Sequence, residues 1–256
     1  LPPEKQGEVL HRFILGIYDL MTRITTNFPD LLIEGCSGGG ARFDAGILCY
    51  SPQIWCSDDT DPIHRLNIQY GTSFGYPVST VGAHVSASPN HQTGRTTPMH
   101  TRAVTAMAGT FGYELDPGKL SWEEKEAIKD HIRIFKQYYS LIQDGLYYRL
   151  SAPGEEPYIA WEFVSEDGSE ALFNLVITDI QPNQALINLK LKGLDPEAVY
   201  EVTDESAKYR APLTHYFSDY PVRSNVKGEA LMKAGYTLPW ILGDYPAVQL
   251  YFKKID

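Results

Sequence analysis

Short apolar runs alternate with longer helix-forming stretches in the first part of the chain, and this alternation is what most constrains its fold. Four apolar runs, at 31–35, 53–57, 79–87 and 109–115, read as strands. Parallel neighbouring strands need a crossover connection, which is usually a helix. Repeated strand–helix units therefore predict a parallel sheet covered by helices, either doubly wound or closed into a barrel.

The intervening stretches predict helices at 4–28, 61–72, 97–108 and 120–144. Asp61 followed by Pro62 suits a helix start, because aspartate caps the free amides and proline fits the first turn. In the last helix Ser121 and Glu124 form a capping-box pattern. Its apolar face is predicted to consist of Ile128, Ile132, Phe135, Tyr139 and Ile142.

The pattern changes after Gly145. Two alternating runs flank Glu166-Asp167-Gly168, which is typical of a β-hairpin. The segments "ALINLKLKGL", "AVYEVTD", "EALMKAGYTLPW" and "AVQLYFKK" are predicted as further short strands. We therefore predict two domains, an α/β domain at 1–144 and an all-β domain at 145–256 that forms an antiparallel β-sandwich.

The glycine-rich turn "GCSGGG" has neither the dinucleotide-binding spacing nor the lysine of a phosphate-binding loop. Its pattern favours a barrel over a nucleotide-binding fold. A complete (β/α)8 TIM barrel needs about 250 residues, and roughly 145 are available here, so the prediction is half a barrel.

Composition narrows the function classes. The formal net charge is −10 with a pI of about 5.2, and no basic cluster is present, so nucleic acid is not an expected partner. No apolar run is long enough for a membrane span. The three cysteines fit neither a disulfide framework nor a zinc pattern, which favours a reducing compartment, the cytoplasm.

Two stretches hold the candidate chemistry. Cys36, Ser37 and Gly38 follow the first predicted strand, and Asp58 and Asp59 follow the second. Strand ends are where barrel enzymes place their reacting groups. A carboxyl beside other carboxylates tends to keep its proton longer, which suits a general acid.

Structural interpretations of these residues remain open. The glycines could form only a flexible turn, and Asp59 or Asp61 could simply cap the next helix, which for Asp61 is the favoured interpretation. Trp55 could be a core residue or a sugar platform. His84, His91 and His100 have spacings that fit no metal site, and a serine-hydrolase elbow is absent from the sequence. The loop at 86–95 is predicted to rim the site.

The stretches "EGCSGGGARFD", "WCSDDTDPIHRLNIQYGTS" and "GAHVSASPNHQTGR", in this order, closely resemble the α-galactosidases of glycoside hydrolase family 36. The resemblance implies a retaining exo-α-galactosidase that acts on raffinose- and melibiose-type sugars without a metal or organic cofactor. It also implies that the chain is the C-terminal half of the barrel followed by the C-terminal β domain.

The resemblance assigns the general acid/base to Asp58. It places Cys36 and Gly38 around the galactose and Trp55 in the pocket wall; with Ser37 and Asp59 they form the predicted substrate-binding set. The family's nucleophilic aspartate, in a "KWDMNR"-like strand end, would precede this chain, so we expect the chain alone to be inactive. Its open strand edges predict self-association, most simply as a homo-oligomer.

Three alternatives stay open. An α-N-acetylgalactosaminidase or a galactosyl transferase would use the same chemistry with a different pocket. A non-catalytic sugar-binding or assembly module would explain the absence of the nucleophile from this sequence.

Overall fold

Four short parallel strands, each followed by a helical segment, form the first part of the molecule. A computed structural model describes residues 2–209, 225–238 and 241–255. A helix precedes the strands, and their connections are helical turns or full helices. The elements are α1 (Gln6–Asn27), β1 (Glu34–Gly35), β2 (Gln53–Ile54), α2 (Pro62–Thr72), β3 (His84–Ser86), α3 (Met99–Ala106), β4 (Gly112–Glu114), α4 (Trp122–Gln137) and α5 (Tyr139–Asp144).

The strands lie side by side in chain order. β1 pairs with β2, and β3 pairs with β4, both in parallel. A parallel bridge from Ile54 to Val81, with Gly82 N–H donating to Ile54 O at 2.7 Å, joins the two pairs. The predicted parallel arrangement is confirmed, but each strand is only two or three residues long, shorter than its apolar run. The carboxyl ends of neighbouring strands therefore lie close together.

The helix starts agree with the sequence prediction. Asp61 caps α2 by accepting hydrogen bonds from the amides of Ile63 and His64 at 2.9 and 3.4 Å. Ser121 and Glu124 complete both halves of the capping box at the start of α4. These caps are local interactions, which explains why the sequence alone predicts them.

The predicted apolar face of the last helix is partly wrong. The helix is interrupted at Tyr138, and Ile132 and Tyr139 are exposed. His131 and Ile134 are buried instead. The interruption changes the angular position of the residues after Tyr138, which accounts for the exposure of Tyr139. Ile132 lies before it, on the side of α4 away from the buried His131 and Ile134.

An antiparallel sheet follows. The elements of this part are β5 (Leu146–Arg149), β6 (Tyr158–Val164), β7 (Glu170–Ile177), β8 (Asn188–Leu189), β9 (Val199–Asp204), β10 (Asn225–Lys227), α6 (Gly228–Lys233), β11 (Tyr236–Thr237) and β12 (Ala247–Ile255). The strand order in the sheet is β10-β9-β12-β7-β6-β5. The predicted hairpin is confirmed, since β6 and β7 pair around Asp167 and Gly168. A two-stranded pair, β8 with β11, lies apart from this sheet.

The segment "EALMKAGYTLPW" corrects the prediction of an all-strand continuation. Its first residues belong to α6, and only Tyr236 and Thr237 form a strand. Glu, Ala, Leu, Met and Lys are all good helix formers, and this local preference prevails. The last two residues of that segment lie outside the described part of the chain.

Both faces of the large sheet are buried. Trp161 and Phe163 of β6 pack with α3, α4 and α5 in one core, while Ala160 and Val164 face a second core with β8 and α6. The first core thus joins the parallel strands and helices to the sheet. The segment before β12 lies next to the loop that follows β3, where Arg95 donates a hydrogen bond to Tyr245.

Candidate active site

The three glycines after β1 adopt a backbone conformation that explains their presence. Gly38, Gly39 and Gly40 have φ values of +61°, +77° and +86°, in the left-handed region that L side chains rarely adopt. A Cβ on Gly39 would lie 3.1 Å from the amide nitrogen of Asp58, and one on Gly40 would lie 3.1 Å from Cys56 Cα. The glycine turn therefore packs directly against the segment that contains Asp58.

Asp58 follows β2 at the carboxyl end of the parallel strands. Its carbonyl oxygen accepts a hydrogen bond from Gln92 Nε2 at 2.9 Å. Gly39 lies against the side chain of Asp58: a Cβ placed on Gly39 would be 3.7 Å from the Asp58 carboxyl carbon. The backbone of Asp58 is thus fixed by two loops that come from different strands.

The crowded acidic residues point to different partners. Asp59 Oδ2 lies 2.7 Å from His64 Nδ1, and Asp59 Oδ1 accepts from the amide of Asp61. Asp61 is fully buried and binds Thr93 Oγ1 at 2.5 Å and Arg95 Nε at 2.8 Å. Burial opposes the ionisation of Asp61, but the hydrogen bonds from Thr93 and Arg95 prevail and lower its pKa. Partners for Asp59 and Asp61 therefore reduce the repulsion that the sequence pattern implies.

The loop after β3 contacts the turn at residues 57–61, which we call the acidic turn. Gln92 Oε1 accepts from the amide of Thr60 at 2.9 Å, and Asn90 Nδ2 donates to Thr60 Oγ1 at 3.0 Å. Ser86 Oγ donates to the carbonyl of Thr60. The sequence identified this loop only as a polar rim, and the individual contacts follow from the folded arrangement.

Trp55 is packed between charged and aromatic neighbours. It is 8 % exposed, its ring stacks on His84 at 4.7 Å between centroids, and the Arg65 guanidinium lies 4.6 Å from its ring centroid. Little of the ring remains available to a sugar in this chain. Arg65, which the sequence reasoning missed, also donates to the carbonyls of Ser57 and Gly82. This buried arginine links the carboxyl end of β2 to the amino end of β3.

An open pocket of about 500 Å³ lies beside the glycine turn. Cys36, Ser37 and Gly40 line it together with residues of α1 and β1, whereas Asp58 and Trp55 are not among its lining residues. Cys36 is an exposed free thiol, and Cys49 and Cys56 are free as well. Ser37 Oγ donates to the carbonyl of Cys36. The sequence-predicted residues are thus neighbours at one end of the strands, on two sides of the glycine turn.

Over residues 2–209, 225–238 and 241–255, the His, Cys, Asp and Glu side chains form no group of three that could hold a metal ion. In the same residues no helix combines the length and apolarity that crossing a membrane requires.

Comparison with known proteins identifies the family of the chain. The Melibiase family profile matches residues 1–145, and that of the Glycosyl hydrolase family 36 C-terminal domain matches residues 158–252. The bifunctional alpha-galactosidase/sucrose kinase AgaSK of Mediterraneibacter gnavus is 51% identical over 97% of this chain, which spans 25% of that protein. Alpha-galactosidase AgaA of Geobacillus stearothermophilus is 45% identical over the whole chain, which spans 33% of it.

Solved structures show the same relationship. The chain resembles a variant of Geobacillus stearothermophilus AgaA in complex with raffinose, with a TM-score of 0.88 and 44% identity, and covers 33% of that chain. It also resembles the galactosidase domain of AgaSK, with a TM-score of 0.86 and 51% identity over 96% of this chain and 32% of the other. The chain therefore spans a quarter to a third of the length of these relatives. By its family matches, the chain belongs to the melibiase family of glycosyl hydrolases, and it ends in the C-terminal domain of family 36.

Proposed function

We propose that this chain is the acid/base-bearing part of a retaining exo-α-galactosidase that hydrolyses terminal α-galactosyl residues of raffinose- and melibiose-type oligosaccharides. The observation that supports this proposal is the position of Asp58, at the carboxyl end of β2 and held by Gln92 and the glycine turn. Relatives in this family are named alpha-galactosidases, and the solved structure of one of them is a complex with raffinose.

In this mechanism Asp58 first donates a proton to the departing glycosidic oxygen and then removes one from the attacking water. A second carboxylate must attack the sugar from the opposite face, about 5–5.5 Å from the first. The nearby Asp59 and Asp61 already bind His64 and Arg95. We assign the nucleophile to a part of the whole protein outside this chain.

The remaining site residues have supporting roles in the proposal. Cys36, Ser37 and Gly38 would border the galactose, with the free amides of the left-handed turn available to sugar hydroxyls. Trp55 would form the wall behind Asp58. Asp59 would contact substrate only through the part of its carboxylate that His64 and Asp61 leave free.

The organisation of the chain follows from the same proposal. Residues 1–144 would form the C-terminal half of a (β/α)8 barrel, and residues 145–256 the C-terminal β-sandwich domain. The small second layer of β8, β11 and α6 on one face of the large sheet supports the sandwich. A homo-oligomer is the proposed assembly, and the cytoplasm the proposed compartment, the latter supported by three free cysteines.

Asp58→Ala in the full-length protein tests the function. We expect kcat/KM for melibiose to fall by about 10²–10⁴-fold, because protonation of a poor leaving group is lost. p-Nitrophenyl α-galactoside needs little protonation and should lose much less. Asp59→Asn is the matched comparison, and it should affect both substrates to the same degree. Equal losses on both substrates for Asp58→Ala would contradict the acid role, and an inactive wild-type protein would favour the non-catalytic module.

A further inference from the structure

Arg95 connects the C-terminal sheet domain to the acidic turn. Its Nη1 donates to the hydroxyl of Tyr245 at 2.6 Å, and its Nε donates to Asp61 Oδ2 at 2.8 Å. The guanidinium carbon also lies 5.1 Å from the Tyr245 ring centroid. Tyr245 precedes β12, whereas Arg95 belongs to the loop after β3. One side chain thus bridges two parts of the fold.

Tyr245 is held firmly in this position. Its φ of +50° lies in the left-handed region, which residues with a side chain rarely occupy. Thr101 Oγ1 of α3 donates to its carbonyl oxygen at 2.5 Å. Uncommon backbone conformations of this kind persist where the surrounding contacts determine them, and they cluster at functional sites.

Asp61 binds both Arg95 and the backbone at the start of α2. One of its oxygens binds Arg95 and Thr93, and the other accepts from the amides of Ile63 and His64. Its own amide donates to Asp59 Oδ1 at 2.9 Å. The turn that contains Asp58 is therefore fixed at its C-terminal end by a fully buried carboxylate.

The same loop also fixes Asp58 itself. Gln92, three residues before Arg95, donates to the carbonyl of Asp58. Asn90 N–H donates to the carbonyl of Arg95 at 2.8 Å, and this bond closes the loop. A shift of Arg95 would consequently move Gln92 and Asp58 together.

We propose that Tyr245 is a positioning residue for the general acid/base, acting through Arg95 and Asp61. This inference rests on the proposed function, since it assumes that Asp58 transfers the proton. The C-terminal domain then has a catalytic consequence without touching the substrate. Proton transfer depends steeply on geometry, so small displacements of Asp58 slow the reactions that need its proton most.

Tyr245→Phe in the full-length protein is the test, because it removes only the hydroxyl that accepts from Arg95. We expect kcat/KM for melibiose to fall roughly 3- to 10-fold, about the effect of losing one ordinary hydrogen bond, because Tyr245 acts on Asp58 only through other residues. For p-nitrophenyl α-galactoside we expect less than about a 2-fold loss, because its leaving group needs little protonation. The ratio of the two values does not depend on the fraction of folded protein.

Tyr138→Phe is the matched control. The Tyr138 side chain is also buried and also bridges the two parts of the fold, its hydroxyl donating to Glu205 at 2.6 Å. Within the described residues, neither Tyr138 nor Glu205 hydrogen-bonds to the acidic turn. Tyr138→Phe should therefore leave the ratio of kcat/KM for melibiose to kcat/KM for p-nitrophenyl α-galactoside unchanged. In an Arg95→Gln background Tyr245→Phe should cause no further loss, because the two residues act in series.

The outcomes separate the two proposals. An unchanged ratio in Tyr245→Phe, or losses that add in the double variant, would overturn the positioning role while Asp58→Ala still shows its leaving-group dependence. A wild-type protein without activity on either galactoside would overturn the function and the positioning role together.

Discussion

Helix α1 and strand β7 both present a row of apolar side chains, yet only those of β7 are covered by the rest of the chain. In β7 every residue from Ala171 to Ile177 is buried. In α1 no residue is buried; Leu10 is 70 % exposed and Phe13 56 %. Hydrophobic periodicity therefore predicts which face of an element favours burial, but not whether the chain itself supplies the cover.

The contacts of the two elements explain the difference. β7 lies at the centre of the sheet between β6 and β12, with a core on each face. α1 forms side-chain hydrogen bonds to the rest of the chain through Tyr18, whose hydroxyl donates to Asp44 at 2.6 Å, and Thr22, which binds Tyr50. Since stability follows buried apolar area, it should be concentrated in the sheet and its two cores.

The largest expected change in the free energy of unfolding comes from truncating a side chain in the core of the sheet. Phe252 of β12 is fully buried, so Phe252→Ala should lower the free energy of unfolding by about 3–5 kcal/mol through lost burial and a cavity. Phe13→Ala removes the same atoms from α1 and should change it by less than about 0.5 kcal/mol. Urea titrations of the 256-residue chain measure both. If both variants lose a similar free energy of unfolding, Phe13 is buried in solution, and the contrast between α1 and the sheet is wrong.

Burial on both faces of the sheet has a cost at Glu162 of β6. This carboxyl is fully buried; Oε1 accepts from the amide of Lys192 at 2.7 Å, and Oε2 has no hydrogen-bond partner in the described part of the chain. Burial raises its pKa to about 8, partly opposed by the amide and charge of Lys192. The folded protein therefore keeps this proton over a pH range in which the unfolded chain releases it.

Glu162→Gln should accordingly change the pH dependence of stability. Between about pH 4.5 and pH 8 the folded state binds more protons at this site, so the free energy of unfolding falls as pH rises. The variant should lack this decline and be the more stable protein at about pH 9. Urea midpoints at several pH values measure it, with the exposed Glu166→Gln as control. An identical pH slope in Glu162→Gln and wild type would show that Glu162 is ionised in the folded state.

Much of this architecture was predictable because its causes are local. The cap at Asp61, the box of Ser121 and Glu124, and the hairpin at Gly168 each depend on a few adjacent residues. The glycines at 38–40 predict a turn, and they permit the left-handed conformation that the structure shows there. In these places sequence and structure agree.

The missed features depend on contacts between distant residues. Arg95 and Tyr245 are 150 residues apart, and Arg65 reaches across to Gly82, just before the next strand. No local sequence pattern indicates that these two arginines bind residues of the acidic turn. The excess of carboxylates in "SDDTD" was the available clue, since buried charges require partners. Arg95, in the loop at 86–95, is the cation that the structure places against Asp61.

The smallest effect on folding should come from charging the exposed face of α1. We expect the 256-residue chain to self-associate, because an apolar helix face beside an open strand edge offers a surface for association. Leu10→Lys with Phe13→Lys should shift the chain toward monomer in sedimentation experiments. The free energy of unfolding should change by less than about 0.5 kcal/mol, since neither side chain is buried. Gln6→Lys with Asn27→Lys adds the same charge to exposed polar positions of α1 and should leave association unchanged. If both double variants dissociate equally, net charge is the cause; if only the first does, the apolar face of α1 drives association while the sheet determines stability.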